Sequence, residues 1–312
     1  MERRTGEPGH SAHASAYYVL SRDEVAALEA DAEVLHAMCL EAVRHVVDAQ
    51  RFADFGLPEW SWEAVAASWR RRDPHLRGRL DLRYDGHGPA KLLDYTADTP
   101  DGLPEAAIRQ RRWLMDAHPA DDQWNSVHER LVERWAEIGD RASGAVVHVA
   151  GDDYLRATAI EAGLEPAAGS DAPATGAVVC KADPWAAVLA DGRGRAAVGG
   201  LPGTVWVEPL WKVLVAAPAL LAVLWEMYPG HPNLLPAFLD APGPLTEYVS
   251  KPRSGGVPGE QGDVHQLVDP LPDFDGYRPA LGVWIVGDGA AGLGIRETAG
   301  EGRAASVPHR VV

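Results

Sequence analysis

Four polar side chains within one short stretch could together hold a metal ion and a phosphate: Arg79, Asp81, Asp94 and Thr96. Arg79 and Asp81 lie two residues apart in a segment that alternates like a β-strand, and Asp94 and Thr96 do so in the next such segment. If the two strands pair, both carboxylates and the hydroxyl face one side of the hairpin. Hard oxygen donors of this kind suit Mg²⁺, which usually binds through one or two carboxylates together with waters and substrate phosphates. The alternative is an ordinary solvated face of a hairpin.

Two further cations could bind phosphate groups. Lys251 follows a short strand-like segment and begins a glycine-rich stretch that extends to Gly262. A lysine in front of such a loop can hold a phosphate together with backbone N–H groups, although a plain flexible loop is the alternative. Arg296 lies in a strand-like segment near the C-terminus, where a simple surface arginine is the other interpretation.

Common signatures of nucleotide and metal sites are absent from the sequence. It contains no G-x-x-x-x-G-K-[ST], no G-x-G-x-x-G that opens a helix, no C-x-x-C and no H-E-x-x-H. The 12 histidines are scattered without metal-ligand spacing. A nucleotide site in this chain therefore has to be built in another way.

The charge balance and the cysteine content limit the classes of partner. The chain has 29 basic and 45 acidic residues, a formal net charge of −16, which would repel nucleic acid and anionic membranes. Two cysteines, Cys39 and Cys180, exclude a disulfide framework and favour a reducing compartment. The longest apolar run, Val213 to Trp225, is too short to span a bilayer, and the polar residues 1–16 do not form a signal peptide. We expect a cytoplasmic protein with no nucleic-acid or membrane partner.

The elements that position these residues can be predicted from hydrophobic periodicity and capping signals. Ser21 and Glu24 have the spacing of a capping box, which predicts a long helix that ends near Asp48. The alternating segments 79–85 and 91–96 flank a glycine-containing turn and predict a β-hairpin.

Later segments combine strands with helices. A strand over 145–149 and a helix over 154–162 indicate an α/β region. A buried helix is predicted over 211–227, with a kink at Pro218. Residues 1–16 are predicted to be a disordered tail. The fold class that follows is mixed α/β.

Taken with these elements, the chain resembles the synthetase part of the glutathionylspermidine synthase family, which has an ATP-grasp fold. The resemblance extends from about residue 17 to the end, and we expect no amidase domain before it. It implies an ATP-grasp unit over 17–312 with a shortened lid at about 178–265. The matching segments are GRLDLRYDGHGPAKLLDYTADTPDGLPEAA (78–107), VEPLWKVL (207–214), ALLAVLWEMYPGHPNLLPA (219–237), YVSKP (248–252), HQLVDPLPDFDGY (265–277), LGVWIVGDGAAGLGIRE (281–297) and VPH (307–309).

The reaction that the resemblance implies is carbon–nitrogen ligation with ATP and Mg²⁺ as cofactors. A peptide or amino-acid carboxylate is phosphorylated to an acyl phosphate, and an amine such as a polyamine displaces the phosphate. The carboxylate and the amine are small-molecule partners. Because the reacting groups crowd negative charge together, metal ions and cationic side chains have to neutralise it.

The resemblance also implies a role for individual positions. The positions normally carry Glu at 94 and Asn at 96. The implied site residues are Arg79 at the transferring phosphoryl group; Asp81, Asp94 and Thr96 as metal ligands; Lys251, Gln266 and Arg296 at ATP; and Asp98, Thr99 and Glu105 near the substrate.

Departures from the family pattern leave alternatives to a working ligase. Asp94 and Thr96 are shorter ligands than those the family normally has, and Pro218 replaces a second ATP-binding lysine. The lid between Lys251 and Gln266 is also short. A lost charged contact costs about 1.5–3 kcal/mol. We favour a ligase of altered substrate range; the alternatives are a degenerate ATP-grasp protein that binds a nucleotide or a protein without ligating, and an assembly partner of another ligase.

Lysine usage adds one observation in favour of a retained site. Only four of the 29 basic residues are lysines, and all four fall in family segments or their remnants. The presence of a lysine at position 251 is explained if that position accepts a compact ammonium but not a guanidinium.

Overall fold

A computed structural model describes residues 1–5, 16–142, 146–167, 177–191, 194–199, 203–255, 262–300, 302 and 304–312. The strands in these residues are β1 Glu2–Thr5, β2 Ala16–Leu20, β3 Arg77–Arg83, β4 Lys91–Thr96, β5 Val146–Val149, β6 Glu165–Pro166, β7 Val178–Cys180, β8 Val205–Val207, β9 Ala237–Leu239, β10 Tyr248–Pro252, β11 Asp263–Leu267, β12 Tyr277–Val286, β13 Gly289–Ala299, β14 Ala305–Val307 and β15 His309–Val311. The α-helices are α1 Arg22–Asp48, α2 Trp62–Arg70, α3 Gln110–Ala117, α4 Val127–Arg141, α5 Asp153–Glu161, α6 Trp185–Ala190, α7 Gly194–Gly199, α8 Lys212–Val215 and α9 Ala219–Met227.

The largest sheet is antiparallel and has the strand order β14-β13-β12-β3-β4. Its edge pair, β3 and β4, is the predicted hairpin, with Asp81 opposite Asp94 and Arg79 opposite Thr96. A β-bulge follows the Asp81 pair, because Leu82 is opposite Leu92 and Leu93 is the extra residue. The hairpin prediction is confirmed, and the long strands β12 and β13 fix its position.

Three smaller sheets surround this one. Strands β6-β5-β7-β8 are all parallel, and the helix between β5 and β6 is α5, so the α/β region is confirmed. A short antiparallel sheet has the order β10-β11-β9, and its strand β11 carries Gln266. The fourth sheet has the order β1-β2-β15 and joins the two ends of the chain. The mixed α/β fold class is therefore correct.

Among the described residues, two large apolar cores hold the layers together, and a third, small cluster contains Tyr17 and Trp113. In the larger core, α1 packs on α8, α9 and the central sheet, through residues such as Leu35, Leu220 and Leu293. In the smaller core, α4 and α5 pack between the parallel sheet and the ends of β12 and β13, around Trp135 and Trp284. Burial of these apolar faces is the main force that orders the sheets.

Local signals placed the first long helix correctly. Ser21 is the N-cap of α1; its hydroxyl accepts a hydrogen bond from the Glu24 N–H, and the Glu24 carboxylate accepts one from the Ser21 N–H. This is the predicted capping box. Later in the chain, α8 ends at Val215 and Pro218 is the N-cap of α9, so the predicted helix over 211–227 is two helices.

The prediction of a disordered tail over residues 1–16 is wrong where the structure describes that segment. Residues 2–5 form β1, which pairs with β2, and Ala16 begins β2. Arg3 donates two hydrogen bonds of 2.9 Å to Glu297 and lies over the ring of Tyr277. These contacts come from β12 and β13, which a local composition argument cannot include. Residues 6–15 of the predicted tail lie outside the described residues.

Within the described part of the chain, no helix is long and apolar enough to cross a membrane.

Candidate functional site

Strand β3 separates apolar from polar side chains by simple alternation. Leu80 and Leu82 are fully buried in the larger core, so Arg79 and Asp81 project to the opposite face. Gly282 on the neighbouring strand makes room there, because a β-carbon on it would lie 2.7 Å from the Arg79 Cδ. The arginine side chain therefore lies flat across β12.

Arg79 and Asp81 form the centre of the site. The Arg79 Nε and Nη2 donate to the two carboxylate oxygens of Asp81 at 2.7 and 3.0 Å. Burial alone would lower the pKa of Arg79, but its hydrogen bonds to carboxylates raise that pKa above the usual value. The Thr96 hydroxyl donates to the same Asp81 carboxylate at 3.4 Å. The predicted common face of the hairpin is thus present.

A second arginine and an aspartate complete this cluster. Arg296, on β13, approaches the Asp81 carboxylate at 3.3 Å. Asp101 lies between the two arginines: its carboxylate accepts a hydrogen bond from Arg79 at 2.6 Å and one from Arg296 at 3.4 Å. Hydrogen bonding to Arg79 lowers the pKa of Asp101. The structure therefore brings the predicted catalytic arginine beside one of the predicted ATP-binding residues.

Asp94 lies on the same face, beside Lys251. Burial raises the pKa of Asp94, and the Asp81 carboxylate raises it further, while Lys251 opposes both effects. Burial in turn lowers the pKa of Lys251, whose ammonium donates to the Leu93 carbonyl at 2.6 Å. Gln266 donates to the next carbonyl, that of Leu92, at 3.1 Å. Both predicted ATP-binding side chains from β10 and β11 thus reach the hairpin.

A cavity of about 250 Å³ lies next to the arginines. Its lining includes Arg79, Asp101, Glu105 and Arg296, so one predicted substrate residue, Glu105, faces it. Glu105 is also 3.2 Å from the guanidinium of Arg109, one helical turn away.

The other two predicted substrate residues point elsewhere. Asp98 is buried, and its carboxylate accepts a hydrogen bond from the Lys181 ammonium and one of 2.5 Å from the Trp185 N–H. Burial raises the pKa of Asp98, while Lys181 opposes this. Thr99 lines a separate cavity of about 170 Å³ together with Arg77 and Lys181. Asp98 therefore anchors the loop after β4, and Thr99 does not face the arginine cluster.

The donor set fits the groups that the sequence implied. Two carboxylates and a hydroxyl, from Asp81, Asp94 and Thr96, are hard oxygen ligands of the kind that Mg²⁺ takes. Among the described residues, no group of three or more histidine, cysteine, aspartate or glutamate side chains could hold a metal ion. A magnesium ion here would therefore depend on the hydroxyl, on water and on substrate oxygens as well. Lys251 and Arg296 flank these ligands, as phosphate-binding cations should.

One implied ATP contact does not fit. Pro218 is buried between α8 and α9, where the family resemblance places a lysine. A β-carbon on Gly255 would lie 3.7 Å from the proline ring, and the Ala219 N–H donates to the Arg253 carbonyl at 3.2 Å. Residues Arg253 and Gly255 thus pack against the position that the lysine would have. The rest of that segment, 256–261, lies outside the described residues.

The class of the fold follows from a solved structure. A glutathione synthetase-like effector from Globodera pallida, in its apo form, superposes with a TM-score of 0.57 over 95% of this chain and 89% of that chain, at 13% identity. The chain thus has a glutathione synthetase-like fold of the ATP-grasp type.

The family follows from the sequence comparisons. A family profile described as glutathionylspermidine synthase preATP-grasp matches residues 6–169, 170–257 and 253–312. The chain belongs to this family, as its motifs indicated.

Named relatives agree with this assignment. A Haemophilus influenzae protein named "putative acid–amine ligase" is 29% identical over 90% of this chain and 85% of its own length. The trypanothione synthetase of Crithidia fasciculata is 25% identical over 84% of this chain. The bifunctional glutathionylspermidine synthetase/amidase of Escherichia coli is 24% identical over 90% of it. The chain spans 51% and 56%, respectively, of these last two proteins.

Two residues that pair with predicted site residues were not predicted from the sequence. Asp101 pairs with both arginines, and Lys181 holds Asp98. Asp101 lies after β4 in the segment 78–107 that resembles the family, and Lys181 is one of the four lysines. The sequence therefore indicated each of these residues only weakly. Which group faces which depends on β7 and β13, which are distant in sequence from the hairpin.

Proposed function

We propose that this protein is an ATP- and Mg²⁺-dependent carboxylate–amine ligase that forms an amide bond through an acyl phosphate. The observation that carries the proposal is the convergence of Arg79, Asp81, Asp94 and Arg296 on one face of the hairpin. Membership of the glutathionylspermidine synthase family supports it. The substrates we propose are a peptide or amino-acid carboxylate and an amine, such as a polyamine.

The side chains have distinct parts in this proposal. Arg79 is half of a bidentate pair in the structure, and its guanidinium would bind the oxygens of the transferring phosphoryl group. Asp81, Asp94 and Thr96 would hold Mg²⁺, and Lys251 and Arg296 would bind the nucleotide phosphates. ATP supplies the phosphoryl group that activates the carboxylate. Since Arg79 and Arg296 are already positioned by Asp81, they need little reorganisation to stabilise developing charge.

A nucleotide-binding protein without ligase activity is the second candidate. The buried Pro218 and its contact with the start of the lid favour it, because a cation at the phosphates is missing. A lid that covers less of the site also protects an acyl phosphate less well from water.

The first prediction tests the metal and nucleotide site directly. Calorimetric titration of the wild-type chain with Mg·ATP should detect binding. Asp81→Asn should weaken it by about tenfold or more, because a full charge is removed at the metal. Thr96→Ala should have a smaller effect, since a water can replace a hydroxyl. Equal effects of the two substitutions, or no binding by the wild type, would contradict the assignment.

Ligation itself separates the two candidates. The chain is incubated with Mg·ATP, mixed carboxylic acids and a polyamine, and phosphate release and amide mass are recorded. A ligase releases phosphate only when both acid and amine are present. Phosphate release that needs neither reactant, or binding without turnover, would support the second candidate.

A further inference from the structure

The cavity beside the arginines has a polar mouth and an apolar interior. Of its lining residues, the charged ones are Arg79, Asp101, Glu105, Arg109 and Arg296. The remaining walls are mainly apolar or aromatic. They include Ala106, Trp113, Trp284, Ile295, Val307 and Pro308.

The interior is large enough for an organic group and offers a donor. Its volume is about 250 Å³. An apolar cavity of roughly 150 Å³ accepts benzene, so one aromatic ring with a short chain fits. The Trp284 Nε1 lies 3.4 Å from the point that a β-carbon on Gly294 would occupy, which places the indole N–H at the cavity wall.

The positive and negative charges at the mouth are equal in number only when the Asp101 carboxylate is counted. The three guanidinium groups of the lining, of Arg79, Arg109 and Arg296, pair with the lining carboxylates of Asp101 and Glu105 and with Asp81, which lies outside the lining. The Asp101 side chain is 76% exposed, against 15% for Asp81 and 31% for Glu105.

Asp101 is also the carboxylate that can leave at the lowest cost. Its backbone carbonyl accepts a hydrogen bond of 2.5 Å from Arg79. The loop can therefore stay attached to Arg79 while the side chain rotates into water. Its departure would leave two arginines facing one vacant carboxylate position.

We infer that the cavity binds a carboxylic acid with an apolar body of about one aromatic ring, and that the acid's carboxylate takes the place of Asp101 between Arg79 and Arg296. Asp101 then selects against weak ligands, because an incoming acid has to displace it. The acid would be the carboxylate substrate of the proposed ligase, so that part of the inference rests on the proposed function. The apolar walls exclude a substrate that is charged along its whole length.

Three small probes test the binding mode in calorimetry without ATP. Phenylacetate has both the charge and the ring, acetate lacks the ring, and 2-phenylacetamide lacks the charge. We expect phenylacetate to bind at least about tenfold more tightly than either of the others, because each loses one set of contacts. An amide that binds as tightly as the acid would overturn the inference, and so would acetate of equal affinity.

Substitutions at the mouth test the position of the carboxylate. Asp101→Asn keeps the shape and removes the competing charge, so phenylacetate should bind about tenfold more tightly. Arg296→Gln should weaken it by a similar factor. Asp85→Asn is the control: it removes a carboxylate that pairs with Arg83 on the same hairpin, outside the cavity.

These experiments distinguish a failure of this inference from a failure of the proposed function. Unchanged or weaker binding by Asp101→Asn, with a wild-type thermal midpoint, would show that Asp101 does not compete and would overturn the inference. If Arg296→Gln does not fold, the Asp101→Asn result and the comparison of acid with amide still decide whether the inference holds. A wild-type chain that binds Mg·ATP but does not discriminate among the probes contradicts only this inference. A wild-type chain that binds phenylacetate but no nucleotide contradicts the proposed ligase function.

Discussion

At the scale of single residues, the contacts of the four lysines explain why these positions carry lysine and not arginine. Each of the four ammonium groups donates to an oxygen of the protein. The pairs are Lys91 with the Pro232 carbonyl, Lys181 with Asp98, Lys212 with the Arg77 carbonyl and Glu208, and Lys251 with the Leu93 carbonyl. A compact ammonium with three donors suits such contacts, whereas a planar guanidinium presents its donors in a rigid fork.

Lys212 provides a stability prediction at this scale. Glu208 and Lys212 are both 1% exposed and lie 2.8 Å apart, and Glu208 also accepts hydrogen bonds of 3.0 Å from the backbone N–H groups of Leu76 and Arg77. Lys212→Met leaves a buried carboxylate without its main counter-charge. We expect the free energy of unfolding at pH 7 to fall by about 3–5 kcal/mol in urea titrations.

Two controls accompany this substitution. Lys91→Met removes an ammonium from a more exposed position and should cost less than about 1 kcal/mol. The double variant Glu208→Gln with Lys212→Met should recover part of the loss, because no charge is then stranded. A double variant less stable than Lys212→Met would contradict this account.

At the scale of elements, one irregularity of the hairpin joins two sheets. The bulge in β4 adds Leu93, and the carbonyls of Leu92 and Leu93 accept the side chains of Gln266 and Lys251. A bulge takes a residue out of the regular ladder, so its carbonyl is available to a side chain from another sheet. The nucleotide residues predicted on β10 and β11 are held against the hairpin that carries Asp81 and Asp94 in this way.

The break between α8 and α9 leads to a prediction about Pro218. Pro218 is the N-cap of α9 and is buried against Gly255, so a lysine there would place an ammonium in a buried position. Pro218→Lys should therefore lower the thermal midpoint of the free protein, because a buried ammonium is costly without a partner. Mg·ADP should raise the midpoint more in the variant than in the wild type.

The comparison with Pro218→Met isolates the charge. Methionine has a similar length and no charge, so nucleotide should stabilise it no more than the wild type. A Pro218→Lys variant that loses stability and gains nothing from Mg·ADP would show that a bound nucleotide does not reach this position. The non-ligating candidate would then be preferred.

At the scale of the whole molecule, buried histidines couple stability to pH. His36 from α1 and His75 before β3 both approach the Asp288 carboxylate at the turn after β12, at 3.8 and 3.0 Å. Burial lowers the pKa of His36. Burial also lowers the pKa of His75 from 6.5 to about 4, although Asp288 and Glu208 oppose this and Lys212 adds to it. His309 is buried as well, with its pKa lowered to about 3.

The sign of the pH dependence follows from these shifts. Below pH 6.5 the unfolded chain gains protons on these histidines, whereas folded His75 does so only near pH 4. Stability is therefore complete above pH 6.5 and falls as the pH falls toward 4. Each histidine that is charged in the unfolded chain but neutral in the folded one contributes about 1.4 kcal/mol per pH unit.

Urea unfolding at pH 7.5, 6 and 5 measures this dependence. His75→Gln, which keeps a donor for Asp288, should flatten the decline, while the exposed His87→Gln should leave it unchanged. A decline in His75→Gln as steep as in the wild type would contradict the assignment.

The sequence alone determined the local elements and the family. The capping box of α1 and the hairpin with its polar face depend on neighbours along the chain or on a short alternating pattern, and the motifs around Asp94 belong to one continuous segment. Local interactions of this kind are visible in sequence because their partners lie within a few residues.

Only the tertiary structure decided which polar groups pair with one another. Asp98 turns inward to Lys181, which directly follows β7 and is 83 residues later, and Asp101 faces Arg296 across 195 residues. Residues 2–5, predicted as part of a tail, form a strand that pairs with β2, and Arg3 on that strand binds Glu297 of β13. Buried charges have to be paired, and the sheet order determines which opposite charge is within reach of each.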